Sequence, residues 1–276
     1  MSSSRRFIEA RDQLLRCRED WTGALRQFRW PALEEFNWVC DYFDVVAAGN
    51  GTPALRVVDD SGGDQSLAFC ELAQRSAQVA NFLAAEGLRA GDRLLIMLPN
   101  CVPLWETMLA AIRLGAVMIP ATTLLEHEDL RDRLERGRVK AVVTDAGLAG
   151  RFAGLPGAPL RIAVGRDVEG WVAYDRSRTA AGQFEAGADA RRRSAARVLH
   201  LRHHRTAEAR RAYARELSGR ASVDHVLAGT AARGRASESE LPGLGEARLV
   251  ELLCALECAG DHTGVSVRAL RRPGAA

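Results

Sequence analysis

The sequence predicts an α/β fold in which a parallel sheet is flanked by helices, followed by a poorly packed, helical or disordered tail. Short apolar runs such as "RLLIML" and "VKAVVTD" alternate with helical periodicity, as in strand–helix–strand units. Fully apolar strands indicate a sheet buried on both faces. The alternation stops near residue 185, so we predict an α/β domain over residues 1–185 and a tail over 186–276 that is not an independent domain.

The first elements are an amphipathic helix in "RRFIEARDQLLRCRED", then a helix, a Gly/Asn turn and a short strand in "PALEEFNWVCDYFDVVAAGNGTPALRVVD". The next helix is predicted to start near Phe69 and to end at the glycines 87 and 91. The apolar residues that it carries on one side are Leu72, Ala73, Val79, Ala80, Leu83 and Ala84.

Four strands and two helices complete the predicted domain. "RLLIML" is a strand that Pro99 and Asn100 stop, and "VPLWETMLAAIRLG" is a helix closed by Gly115. The strand "AVMIPAT", the charged helix "EHEDLRDRLERG" closed by Gly137, and the strands "VKAVVTD" and "PLRIAVG" follow. Right-handed crossovers largely determine the topology of such a chain.

Composition narrows the class of protein. A net charge of +3 in 276 residues is too small to indicate a nucleic-acid or membrane-surface protein. The chain contains no apolar run of about 18 residues and no secretory signal, so we expect no membrane span. Six irregularly spaced cysteines do not resemble a disulfide framework, which favours a reducing cytoplasm.

The tail differs in composition from the domain. All eight Phe and all five Trp lie at or before Phe184, while five of the six His follow residue 199. From Asp189 onward the chain has no Lys, Asn, Phe or Trp, and Arg, Ala, Gly, Leu and Glu dominate. A packed core relies on large aromatic and β-branched side chains, which are scarce here. The tail is therefore not predicted to form an ordinary second domain.

Residues 25 to 180 resemble the N-terminal part of AMP-forming acyl-CoA synthetases, and "FNWVCDYFD" resembles their acetyl and medium-chain branch. That family reads (S/T)-(F/Y)-x-E-L, a helix, G-x-x-x-G-D-R-V, L-P-N, a second helix, and G-A-V-x-x-P. The matching positions are Glu71-Leu72, Gly87, Gly91-Asp92-Arg93, Leu98-Pro99-Asn100, Gly115-Ala116-Val117 and Pro120. The resemblance implies the α/β subdomain of an adenylate-forming ligase.

The resemblance also implies an activity. Such enzymes join a carboxylic acid to ATP, release pyrophosphate and pass the acyl group to coenzyme A, with Mg²⁺. The phosphates need a loop of backbone N–H and hydroxyl groups, which the family writes Y-x-(T/S)-S-G-(T/S)-T-x-x-P-K. The chain as written contains no such loop and none of the later adenylate-binding motifs, and its one lysine is Lys140. We therefore assign no catalytic, cofactor-binding or metal-binding residue to it.

The missing loop can be written in another reading frame. Residues 201–205 ("LRHHR") can be encoded CTC CGG CAC CAC CGC, which reads S-G-T-T one base along. Residues 198–209 extend this to Y-F-T-S-G-T-T-A-x-P-K, the family's loop in its expected place. The displaced frame also permits Lys, Asn, Met, Trp and Tyr, which the tail lacks or nearly lacks. We therefore predict a change of reading frame between Phe184 and Arg193.

Two other functions of the tail, metal binding and nucleic-acid binding, are alternatives to the predicted change of reading frame. Two sets of residues could bind a metal: the imidazoles of His200, His203 and His204, and the thiols and imidazole of Cys254, Cys258 and His262. Neither set has the two separated pairs of ligands that are typical of zinc sites. Its arginines lack the interleaved aromatics of nucleic-acid stacking sites. The alternative function is a noncatalytic binding or interaction module with a basic His/Arg-rich tail.

Several single residues have simpler structural roles. Cys17, Cys40, Cys70 and Cys101 are expected to be buried small apolar groups. His127 with Glu126 and Glu128 is expected to be a solvated helix start, and Asp92-Arg93 a turn with a local ion pair. We also expect that the domain, without the later parts of a full ligase, exposes apolar sheet surface. The sequence leaves the acid and the oligomeric state open.

Overall fold

A five-stranded parallel sheet with strand order β4-β3-β5-β6-β7 forms the centre of the computed structural model. The structure describes residues 2–29, 31–33, 35–58, 62–157 and 159–187, and the backbone of 266–268. Its strands are β1 Pro53–Val58, β2 Asp64–Ala68, β3 Arg93–Met97, β4 Val117–Pro120, β5 Ala141–Asp145, β6 Leu160–Val164, β7 Val172–Ala173 and β8 Ser266–Arg268. The predicted α/β class and the four predicted sheet strands are confirmed.

Six α-helices accompany the strands: α1 Ser3–Arg16, α2 Trp21–Gln27, α3 Asp44–Ala47, α4 Phe69–Ala85, α5 Val102–Leu114 and α6 His127–Gly137. Two 3₁₀ helices follow, Ala146–Phe152 and Tyr174–Thr179. The helix predicted near Phe69 is confirmed, and its first turn is closed by Glu71 Oε2, which accepts the Ala68 N–H at 2.8 Å. Such a carboxylate satisfies one of the free N–H groups at a helix start.

The ends of α5 and α6 use left-handed residues. Gly115 has φ of 69° after α5, as predicted. The prediction that Gly137 closes α6 is wrong by one position, because Gly137 is still helical and Arg138 adopts φ of 44°. Arg138 N–H donates to Glu135 O at 3.1 Å and Val139 N–H to Leu134 O at 3.1 Å. These bonds close the last turn and hold Arg138 in a conformation that favours glycine.

The inner strands β3 and β5 are buried on both faces, as their apolar sequence predicts. In β3, Leu94, Leu95 and Met97 are fully buried, and Val142 and Val143 of β5 are too. The expectation that the domain exposes apolar surface stays a prediction, because inner strands are covered in any sheet flanked by helices. The large apolar side chains that are exposed in the described part lie outside the strands: Leu15, Leu25, Val45, Val46 and Leu124.

The segment before β1 differs from the apolar-periodic helix predicted at the start of "PALEEFNWVCDYFDVVAAGNGTPALRVVD". A five-residue π-helical turn, Val39–Phe43, leads into the short helix α3. Asn37 Oδ1 accepts the N–H groups of Val39 and Cys40 at 3.1 and 3.2 Å, so this side chain caps the turn and sets its start.

Aromatic side chains hold α1 against this turn. The rings of Phe7 and Phe36 stack with centroids 4.9 Å apart, and Phe7 meets Tyr42 edge-on at 5.0 Å.

A smaller sheet lies apart from the main one. Strand β1 pairs antiparallel with β2 and parallel with β8, in the order β2-β1-β8. The pattern of the tail did not predict β8. No helix within the described ranges is long and apolar enough to cross a membrane.

Candidate functional site

The carboxyl edge of the main sheet is the candidate site. The chain passes from β3 to β4 on one side and then to β5 on the other side of β3, so the direction of winding reverses there. In open α/β sheets, ligands bind beyond the carboxyl ends of strands at such a switch point. The connections after β3 and β5, residues 98–101 and the turn at Asp145, border this position.

Asn100 is the polar side chain nearest the switch point on the β3 connection. Its Oδ1 accepts the indole N–H of Trp105 at 3.1 Å, while its Nδ2 is buried without a hydrogen-bond partner among the described residues. Helix α5 begins two residues later without a side-chain cap, but Pro103 has no N–H and the Leu104 N–H donates to Cys101 O at 3.0 Å. On the other side of the edge, the Asp145 carboxylate accepts the Gly147 N–H at 2.7 Å.

Arg151 organises the connection after β4. It donates to Thr123 O at 2.9 Å and to Leu125 O at 2.8 Å, and it lies 3.7 Å from the carboxylate of Glu126. His127 starts α6, as predicted, but its Nδ1 lies 3.0 Å from Arg151 O rather than in solvent alone. The ring and the guanidinium therefore link the start of α6 to the 3₁₀ helix that follows β5.

A polar groove of about 630 Å³ lies between β2, α4, α5 and the second 3₁₀ helix. Its floor is the ion pair Arg75–Glu106 at 3.0 Å, with side chains only 14% and 4% exposed. Tyr174 donates to Glu106 Oε2 at 2.9 Å, and burial raises the pKa of Tyr174 well above its usual value. These charges already satisfy one another, so the floor holds no unpaired charge for a ligand.

Side chains of α4 hold the last described segment of the domain. Gln78 Nε2 donates to Arg178 O at 3.1 Å, and Asn81 Nδ2 donates to Ala181 O at 2.8 Å and to Gln183 O at 2.7 Å. Arg75 adds a bond to Ser177 Oγ at 3.3 Å. Residues 75, 78 and 81 lie on one face of a helix, so α4 fixes the path of residues 177–183.

The four described cysteines are all half-buried and unbridged, so they are less buried than predicted. Burial raises the pKa of Cys40 to about 11 and raises that of Cys101 too, which opposes formation of the nucleophilic thiolate. The expectation that these thiols are structural agrees with this chemistry at Cys40 and Cys101.

Asp92 and Arg93 form the predicted turn without the predicted ion pair. Asp92 Oδ2 instead accepts the Arg89 N–H at 2.8 Å, and Arg93 begins β3. This short backbone bond uses the carboxylate that a salt bridge would need.

The candidate metal residues His200, His203, His204, Cys254, Cys258 and His262 lie outside the described residues. Within the described ranges, no three His, Cys, Asp or Glu side chains come close enough to hold a metal ion.

Sequence reasoning missed Glu106 and Arg113, two charged side chains that are buried on the otherwise apolar helix α5. Their charge in an apolar helical pattern was the available signal, since buried charges require partners. The partners themselves, Arg75 and Asp44, lie 31 and 69 residues away in sequence. No local pattern could pair residues at that separation.

A family model described as AMP-binding enzyme matches residues 44–216, more than half of the chain. The rat protein "Acyl-coenzyme A synthetase ACSM5, mitochondrial" is 39% identical over 126 residues, which cover 43% of this chain and 22% of the relative. The "Uncharacterized acyl--CoA ligase YtcI" of Bacillus subtilis is 29% identical over 139 residues, 50% of this chain and 26% of that protein. The chain thus matches about a quarter or less of the length of these relatives.

A solved structure shares the fold. The Brucella canis acyl-CoA synthetase superposes with a TM-score of 0.55 at 25% identity, covering 60% of this chain and 33% of that one. An anthranilate CoA ligase, at 17% identity and a TM-score of 0.50, shares the fold. The chain belongs to the family of AMP-binding enzymes, and its α/β part is similar to the matched region of these acyl-CoA synthetases.

Proposed function

We propose that this chain carries the N-terminal subdomain of an ATP-dependent acid–CoA ligase and does not adenylate an acid by itself. The family match and the parallel sheet support the first part. The observation that carries the second part is the absence of the phosphate loop from the sequence as written. Without that loop, the backbone and hydroxyl donors that hold the ATP phosphates while pyrophosphate leaves are missing.

In the intact family, ATP, Mg²⁺, coenzyme A and a small carboxylic acid would be the reactants. The described residues do not fit these groups: the acids of the polar groove are held by arginines or a backbone N–H. The residues that would hold the phosphates are expected at positions 198–209 in the displaced frame, outside the described residues. We propose a short-chain, medium-chain or aromatic acid as the substrate, and a cytoplasmic location.

We further propose that the gene changes reading frame between Phe184 and Arg193, by a genuine event or a sequencing error. Two observations support this. Codons for residues 198–209 can encode the phosphate loop when they are read one base further along, and the amino-acid composition changes at Phe184. The codons for residues 183–210 test this directly. Codons that do not spell the loop one base along would end the proposal.

The activity is tested by pyrophosphate release over a panel of acids, using the chain as written and a gene with the frame restored. We expect turnover only with the restored frame. A matched control replaces both threonines of the restored S-G-T-T by alanine, which should abolish turnover without changing the α/β part. Robust turnover by the 276-residue chain as written would overturn the proposal.

The alternative function, a noncatalytic binding module, predicts a different result. Stoichiometric zinc or nucleic-acid binding that disappears on deletion of residues 190–276 would favour it. The tail on which this alternative depends lies outside the described residues, whereas the family match supports the ligase proposal, which therefore stands first.

A further inference from the structure

Three basic residues, Arg93, Arg138 and Lys140, lie close together along the backbone at the amino edge of the main sheet, opposite the candidate site. Lys140, the residue before β5, donates its N–H to Arg93 O at 2.8 Å, just before the paired residues Leu94 and Ala141 of β3 and β5. This bond brings the backbones of Arg93 and Lys140 next to each other, and exposed Arg138 precedes Lys140 by two positions.

No acid within the described ranges pairs with Arg93, Arg138 or Lys140. Asp92, next to Arg93, already accepts the Arg89 N–H. Like charges on neighbouring strands destabilise a sheet. The three residues thus form a concentration of positive charge for which the described part of the chain supplies no acidic ion-pair partner.

Nearby helix ends do not account for these cations. Helices α4, α5 and α6 end at this edge, and a backbone hydrogen bond of 3.0 to 3.1 Å closes the last turn of each. The donors are the N–H groups of Gly87, Gly115 and Arg138, and the acceptors are Ala84 O, Ile112 O and Glu135 O, respectively. Arg89 additionally donates to Ala84 O at 2.7 Å. Each helix end carries about half a negative charge, less in total than the cations present.

Lys140 is the only lysine in the chain, and it is exposed. We propose that Lys140 is an acylation site for acyl thioesters that carry phosphate groups, and that Arg93 and Arg138 draw the phosphates to it. A cluster of one charge sign raises the local concentration of an oppositely charged reactant. The inference does not depend on the proposed ligase activity, because no ATP or adenylate is needed.

The transfer is balanced. The neutral amine of Lys140 attacks the thioester carbonyl carbon, the C–N bond forms, the C–S bond breaks, and the amine proton leaves with the thiolate as a thiol. The product is an amide and no longer carries the lysine charge. Acylation therefore also relieves the repulsion between Lys140 and Arg93.

The test compares two acetyl donors on the full chain without ATP: acetyl-CoA, which carries phosphates, and the acetyl thioester of N-acetylcysteamine, which is uncharged. Peptide mass spectrometry follows the acetylation of Lys140. We expect the R93Q/R138Q variant to react about tenfold more slowly with acetyl-CoA and at the unchanged rate with the neutral donor. Raising the salt to about 0.5 M should erase the difference, since charges are then screened.

Two further variants make the result decisive. R18Q/R166Q removes the same charge far from Lys140, since Arg166 follows the carboxyl end of β6, and should react like the unaltered chain. K140R should gain no acetyl group on this peptide. If R93Q/R138Q slows both donors equally, or neither, the arginines do not guide the donor and the proposal is wrong.

Discussion

Arg113 and Asp44 form a two-pronged ion pair that joins α5 to the start of α3. Arg113 Nη1 lies 2.6 Å from Asp44 Oδ2 and Nη2 lies 2.5 Å from Oδ1, with the arginine side chain only 2% exposed. Ser76 Oγ and Ala73 O accept the remaining guanidinium bonds at 3.1 Å. A buried cation is stable only while its partner remains charged.

Asp44→Asn should therefore lower the free energy of unfolding by about 1–3 kcal/mol, the range reduced because Asp44 is partly exposed. The amide retains the size of the carboxylate but leaves the Arg113 charge uncompensated. Urea unfolding measures the loss. Glu128→Gln is the control, since it breaks an exposed pair with Arg131 at 3.1 Å and should cost less than about 0.5 kcal/mol. Equal losses in the two variants would contradict this view.

Alkaline pH should destabilise the protein through Cys40. Its pKa is raised to about 11 by burial, whereas an unfolded thiol ionises near its ordinary value of about 8.5. The unfolded chain then holds fewer protons, so the stabilisation is present below pH about 8.5 and is lost as pH rises through about 11. Cys40→Ala should lose about 3 kcal/mol less of its free energy of unfolding than the unaltered chain across this window.

Urea midpoints between these pH values test the expectation. The comparison uses the difference between the two proteins, because Tyr174, whose pKa is also raised by burial, titrates in both. Parallel pH profiles would show that the Cys40 thiol does not contribute.

Arg138→Gly should stabilise the protein. Arg138 adopts φ of 44°, which glycine reaches without a steric penalty, so a gain of about 0.5–1 kcal/mol is expected. Gly115→Ala makes the reverse change at φ of 69° and should destabilise by about 1 kcal/mol. Thermal unfolding of both variants measures the pair, and the same sign for both would contradict the argument.

Asn81→Asp should loosen residues 180–184. The substitution keeps the shape of the side chain but replaces two donors to Ala181 O and Gln183 O by acceptors. Hydrogen exchange of the amides in this segment should accelerate. Asn50→Asp is the matched control, because an aspartate retains the role of Asn50 Oδ1 as acceptor from Thr52 and loses only the long bond from Nδ2 to Val46 O at 3.4 Å. Unchanged exchange in Asn81→Asp would show that the clamp is not needed.

A chain shortened to residues 1–187 should unfold at nearly the urea concentration of the full chain. The prediction follows from the proposal that the written tail is out of frame and was not selected to pack. The shortened chain also lacks β8, which pairs with Arg56, Val57 and Val58 of β1. A loss of more than about 2 kcal/mol, large for a single feature, would show that the written tail contributes to folding.

Much of the α/β part was predictable because its signals are local. The wholly apolar strands β3 and β5 and the left-handed Gly115 each follow from a few adjacent residues. The turn at Val39–Phe43 was not predictable from helical periodicity, since Asn37 caps it and also donates to Ile112 O at 2.8 Å, 75 residues away. Contacts at such separation are determined by tertiary packing.

In the candidate site, too, local features were predictable from the sequence and long-range contacts were not. The L-P-N motif predicted where β3 stops, but the unpartnered Nδ2 of Asn100 depends on how Trp105 and the neighbouring strands enclose it. The missing ion pair of Asp92 likewise depends on the Arg89 N–H being the nearer donor. Sequence patterns identify where the chain turns, and the competition among donors and acceptors appears only in three dimensions.

The bonds from Asn81 to Ala181 and Gln183 have a consequence for the two possible readings of the gene. Both bonds fall before Phe184, so they form from residues that precede the predicted change of frame. In either reading frame, the residues after the change would follow a segment that Asn81 already holds at Ala181 and Gln183. The two products would share one folded N-terminal part and differ only in what is attached to it.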